Sequence, residues 1–88
     1  MAAYALAYYG EVAKDIEKID KSERERINEA IQKLAENPFP QGAIKVEGYK
    51  GQNVLRIRTG KYRILYLVGL QAKEIIIVKV DKRERVYG

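Results

Sequence analysis

Arg56, Arg58 and Arg63 stand close together in the stretch VLRIRTGKYRILY, residues 54–66. The stretch reads as two strands joined by a glycine-containing turn. Side chains alternate faces along a strand, so Arg56 and Arg58 share one face while Leu55 and Ile57 take the other. A two-residue loop would be either Thr59-Gly60 or Gly60-Lys61. The first sets Arg56 opposite Arg63, the second sets Arg58 opposite Arg63, and both gather all three guanidinium groups on one face. Like charges facing each other across a sheet are destabilising. A guanidinium fork, however, grips two oxygens of one phosphate, so the crowding points to a polyanion lying over this face. A loop of odd length would flip one strand and break the inference. The plain alternative for Arg58 is an exposed solubility residue, or a surface ion pair with Glu74 or Asp81.

The missing residues narrow the chemistry. The 88-residue chain has no histidine and no cysteine. The usual acid–base group at neutral pH is therefore absent, and so are thiolate chemistry and His- or Cys-based metal sites. The expectation is no cofactor. Residues 1–36 hold six Lys/Arg and eight Asp/Glu, whereas residues 37–88 hold eleven and four, so the net +5 comes from the second half. A basic half facing an anionic partner favours nucleic acid over membrane, since no basic amphipathic helix is present. No segment approaches the roughly 20 apolar residues of a membrane span, and the N-terminus lacks a basic, apolar leader pattern. One cytoplasmic domain covering residues 1–88 is the expectation.

The elements that must position the arginines can be read in order. Tyr4-Ala-Leu-Ala-Tyr8 is a plausible strand, with Gly10 a modest N-cap for a short helix over residues 11–19. There Val12, Ile16 and Ile19 form one apolar stripe. Ser22 and Glu25 have capping-box spacing for a second helix over residues 23–36. Its stripe is Ile27, Ala30, Ile31, Leu34 and Ala35, and its charged outer face includes Arg24, Glu25 and Lys33. Asn37-Pro38 ends it. Residues 37–52 read as loop, locally extended at 45–48, before the arginine hairpin. The final strand, EIIIVKV at 74–80, looks apolar on both faces. The order β-α-α-β-β-β gives a small α+β domain: a mainly antiparallel four-stranded sheet with an N-terminal helical hairpin packed on one face. The arginines belong on the other face, and Tyr62 and Tyr66 in the core.

These pieces, taken together, resemble the RelE/ParE superfamily of type II toxin–antitoxin toxins, and among them the RelE-type messenger RNA interferases. The resemblance spans nearly the whole chain: AKDIEKID, RERINEAIQKLAENP, KVEGYKG, LRIRTGKYRILYLV and IIIVKVDKRERVY. It implies a ribosome-dependent endoribonuclease that acts on messenger RNA in the ribosomal A site and is neutralised by a RelB-like antitoxin. The alternatives are a ParE-type toxin that inhibits DNA gyrase without catalysis, and a catalytically weakened RNA-binding domain. The resemblance places Arg56 and Arg58 where RelE-type enzymes often carry lysines, Arg63 on the arginine after the hairpin turn, Arg83 on the C-terminal arginine, and Tyr87 near the C-terminal tyrosine. Glu47 stands where a basic residue is common, and the family's extra C-terminal helix is missing.

Cleavage by the RNA's own 2′-hydroxyl would then divide as follows. Arginine is a poor base, with a pKa above about 12, so Arg56, Arg58 and Arg63 would bind phosphate and stabilise transition-state charge. Tyr87 would be the base, its phenol helped towards the anion by nearby positive charge, and Arg83 would stabilise the leaving oxygen. Lys61 and Lys82 are alternative proton donors. Lys45, Lys50 and Arg85 would add sequence-independent attraction for RNA. For Tyr87 the plain alternative is a ring that packs the chain end onto the sheet.

Overall fold

Each helix carries one apolar stripe, and both stripes are spent on the same side of a sheet. The computed structural model describes residues 3–82. Along the chain come β1 (Ala5–Tyr8), α1 (Val12–Glu17), α2 (Lys21–Glu36), β2 (Ile44–Lys45), β3 (Val54–Thr59), β4 (Tyr62–Gly69) and β5 (Glu74–Lys82). The sheet order is β1-β5-β4-β3-β2. β1 runs parallel to β5 and every other pairing is antiparallel. Val12 and Ile16 of α1, with Ile27, Ile31 and Leu34 of α2, bury against Ile64, Tyr66 and Val68 of β4 and Ile75 and Ile77 of β5. Each such side chain contributes about 1.5–3 kcal/mol on full burial. Among the described residues, no helix is long and apolar enough to cross a membrane.

The α+β class and the one-sided helical layer match the sequence, but the sheet has five strands, not four. The additional strand is β2, drawn from the stretch read as loop. Only Ile44 and Lys45 pair, with Arg56 and Leu55, and glycines at positive φ bracket them, Gly42 at +96° and Gly48 at +95°. Two residues are too few to show a period.

The helix termini also differ from expectation. α2 starts at Lys21 with Asp20 as N-cap and no side-chain capping bond, so Ser22 lies inside the first turn and the capping box does not form. Gly10 is not the cap of α1; Glu11 is, and Gly10 sits at φ +55° in the turn before it. α1 ends at Glu17 because Lys18 and Ile19 close back tightly onto the carbonyls of Asp15 and Ile16. Arg24, assigned by periodicity to a solvated face, instead donates from Nη1 to the Glu17 and Ile19 carbonyls, at 3.2 Å each. It thereby satisfies acceptors left over at the end of α1.

Two details phase the outer face. The β3–β4 loop is Gly60-Lys61, since Thr59 pairs Tyr62. Gly60 has φ +59° at the first central position, the type II′ pattern whose twist suits a two-residue hairpin. On β5, Tyr66 pairs Ile77 while Leu65 pairs Lys79, which leaves Val78 as a bulge residue. The bulge resets alternation. Ile75 and Ile77 face the helices, Val80 does so again after the bulge, and Lys79 and Asp81 turn to the outer face. β5 is therefore covered on one face only: Ile76 and Val78 are half-buried on the side away from the helices.

Candidate functional site

The outer face of the sheet is a ladder of three cross-strand rows whose character changes along the strands. Nearest the β3–β4 turn, Arg58 lies directly opposite Arg63, and Arg63 opposite Asp81. The middle row is Ile44, Arg56, Leu65 and Lys79. The third is Val54, Leu67 and Ile76. Opposite residues share a face, so Arg56, Arg58 and Arg63 are together, as the Gly60-Lys61 register requires. Tyr62 and Tyr66 lie on the helix side.

Arg58 is exposed and Arg56 half-buried. The Arg63 Nε is 3.5 Å from Asp81 Oδ1, and Lys79 Nζ is 3.8 Å from Asp81 Oδ2. The first contact is an ion pair without hydrogen-bond geometry. Arg56 Nε and Arg63 Nε are shielded from solvent and have no hydrogen-bond acceptor among the described residues. A buried donor without an acceptor costs about 1–3 kcal/mol. The acid expected as a surface partner of Arg58 is instead held by Arg63. The ladder thus puts four cations, Arg56, Arg58, Arg63 and Lys79, on the same face as one carboxylate, Asp81, which pairs with Arg63 and Lys79.

The remaining sequence-derived residues scatter. Lys61 is exposed in the hairpin turn, beside the Arg58–Arg63 row. Lys50 is exposed on the loop between β2 and β3. Lys45 pairs with Leu55, and Lys82 with Tyr62; both partners pack against the core, so these two lysines take the helix side of the sheet. Arg83, Arg85 and Tyr87 lie outside the described residues.

Sequence reasoning missed Lys79 as part of this face and offered Asp81 only as one of two partners for Arg58, because the orientation of both depends on the Val78 bulge. It also missed two concavities. One, of about 510 Å³, lies over the apolar row and is rimmed by Tyr9, Tyr49, Gln52 and Lys79. The other, of about 330 Å³, lies beside Arg56 and Arg58 at the β2 edge. On the helix side, the Tyr66 hydroxyl donates to the Pro38 carbonyl at 2.7 Å. Burial pushes that phenol up to about 12 and also raises Tyr8; both phenols therefore ionise less readily than a free tyrosine.

Residues 7–87 match the family described as the ParE toxin of the type II toxin–antitoxin system parDE. A RelE1 toxin candidate of Methanocaldococcus jannaschii is 35% identical over 77 residues, 86% of each chain. The RelE–RelB complex of Pyrococcus horikoshii OT3 superposes with a TM-score of 0.83 at 30% identity, covering 96% of this chain and 99% of that one. The isolated RelE toxin of Escherichia coli gives 0.77 at 24% identity, covering 96% and 88%, and shows the shared fold.

Proposed function

The chain belongs to the RelE/ParE superfamily, as a toxin of a type II toxin–antitoxin system, and we propose that it acts there as a ribosome-dependent endoribonuclease on messenger RNA. The observation that carries the reading is the Arg58–Arg63 pair, directly opposed on the outer face beside Arg56. Such an arrangement is unfavourable alone and favourable around a phosphate.

In this reading Arg56, Arg58 and Arg63 clamp the scissile phosphate and stabilise the extra negative charge of its transition state. Pre-aimed donors of this kind are often the largest catalytic contribution. The 2′-oxygen attacks phosphorus, its proton passes to the Tyr87 phenolate, and the P–O5′ bond breaks. Arg83 stabilises the leaving 5′-oxygen, which takes a proton from water or from Lys61. The products are a 2′,3′-cyclic phosphate and a 5′-hydroxyl, and no metal or cofactor enters. Orientation of the RNA is supplied by the ribosome, which would account for so sparse a set of protein groups.

The RelE–RelB complex of the Pyrococcus relative supports a RelB-like antitoxin as the neutralising partner. The apolar row beside a basic row suits an amphipathic acidic segment, one that crosses the outer face and the helices and covers or displaces residues 81–87. Hydrogen exchange of free and bound toxin tests this mode; protection away from residues 54–67 and 81–87, with cleavage still blocked, would refute it.

The family match to a ParE toxin favours a second reading, inhibition of DNA gyrase without catalysis. Primer extension on programmed ribosomes, run beside a gyrase supercoiling assay, separates the two. The proposal predicts defined cuts and unaffected supercoiling. Blocked supercoiling with intact messenger RNA would replace it.

A further inference from the structure

The smaller concavity, about 330 Å³, is lined by Gln41, Gly42, Ile44, Arg56, Ile57 and Arg58. It opens on the outer face at the β2 edge, immediately beside two of the three phosphate-facing arginines. The geometry points to a subsite for one unstacked nucleobase of single-stranded RNA, the base flanking the phosphate held by Arg56 and Arg58. This rests on the phosphate-binding reading of those arginines.

Three features fit a base. The first is size: the volume is at the bottom of the range for small-molecule pockets, about 300–1,000 Å³, so it suits a single planar ring system and not a helix or strand. The second is the lining. Ile44 is 52% exposed although it is a large apolar side chain at a strand edge, and in the sheet it faces Arg56 directly. Directly opposite side chains on a sheet face have Cβ atoms about 4.5–5.5 Å apart, so Ile44 and Arg56 form one continuous platform over which a ring can lie, and arginine planes stack on splayed RNA bases. Gln41 brings an amide with both donor and acceptor to the rim, the combination needed to read a base edge. The third is backbone access. Gly42 has φ +96° and a Cβ placed there would meet nothing within 4 Å, so the floor is open where a ring would enter. β2 thereby acquires a purpose: pairing Ile44 with Arg56 holds the two side chains next to each other as one platform.

The test is an NMR titration of the free toxin with a dinucleotide whose attacking ribose is 2′-deoxy, and with two counterparts that lack the 5′ or the 3′ base. Base stacking at such sites is worth about 5- to 150-fold in affinity per base. One of the two abasic ligands should bind at least fivefold more weakly than the parent, and only the parent and the other form should shift the Gly42 and Ile44 amides. Ile44→Ala should bring parent and abasic ligands within twofold of each other. Gln41→Ala should narrow the differences among parent ligands bearing different bases. Arg58→Ala should weaken all ligands alike. If both abasic ligands bind like the parent while Arg58→Ala weakens them, the base subsite is wrong and the phosphate face stands. A base effect that survives Ile44→Ala places the base elsewhere and overturns the assignment. Failure of every ligand to bind overturns this inference and the phosphate reading together.

Discussion

Replacing Tyr66 with phenylalanine removes one oxygen atom from the centre of the protein and should cost stability without touching activity. The ring is fully buried, and its hydroxyl donates to the Pro38 carbonyl at 2.7 Å, tying the exit of α2 to the middle of β4. Phenylalanine keeps the packing but leaves a buried carbonyl without its donor, a loss of about 1–3 kcal/mol. For a domain of this size each kcal/mol moves the midpoint by roughly 4–8 °C, so Tm should fall by roughly 5–20 °C. The alkaline limb gives a second reading. Burial raises the phenol from 10.0 to about 12, so the folded state favours the neutral form. Its contribution is fully present below pH 10, the unfolded value, and is lost as pH rises towards 12. The full loss is about 3 kcal/mol. Wild type should therefore weaken steeply between pH 10 and 12 in urea melts, and Tyr66→Phe much less, with a residue left by Tyr8, which shifts the same way. Equal melting of the two proteins at pH 7, or identical alkaline slopes, would refute the argument.

Gly60→Ala forces an alanine to φ +59° and should destabilise by about 1–3 kcal/mol; the added Cβ would also come within 3.1 Å of Arg26 Nη1. Chemical denaturation measures it. Asp81→Asn removes the carboxylate beside Arg63 and Lys79. The pair is partly exposed, so stability should change by less than about 1 kcal/mol. Binding of RNA phosphate, measured by anisotropy, should tighten severalfold with a steeper salt dependence. Tyr87→Phe should flatten a cleavage rate that otherwise rises with pH as the phenol ionises; an unchanged profile would return Tyr87 to a packing role and leave Lys61 to be tested as the proton carrier, since Lys82 takes the helix side of the sheet.

The residues that determine the fold were largely legible because their signals are repetitive. The stripe of Ile27, Ile31 and Leu34 marks its own face, and a short loop leaves few registers for Arg56, Arg58 and Arg63. What could not be read depends on single events without a period. The Val78 bulge falls in the apolar run IIIV, where no polar residue marks the slip, yet it decides that Lys79 and Asp81 join the arginines. β2 is two residues long and was hidden among glycines. The orientation of Lys45 and Lys82 towards the helix side follows from pairing partners, not from composition. Ile44 and Gln41 belong to no recognisable motif; only their position beside Arg56 and Arg58 makes them notable.

The central claim is that the arginine ladder holds the scissile phosphate, and single-turnover cleavage on programmed ribosomes by Arg63→Ala tests it most directly. Loss of a donor aimed at transition-state charge predicts a rate lower by about 10²–10³-fold, with thermal melts close to wild type because Arg63 is half-exposed. Cleavage by Arg63→Ala at the wild-type rate, with its fold intact, would contradict the account.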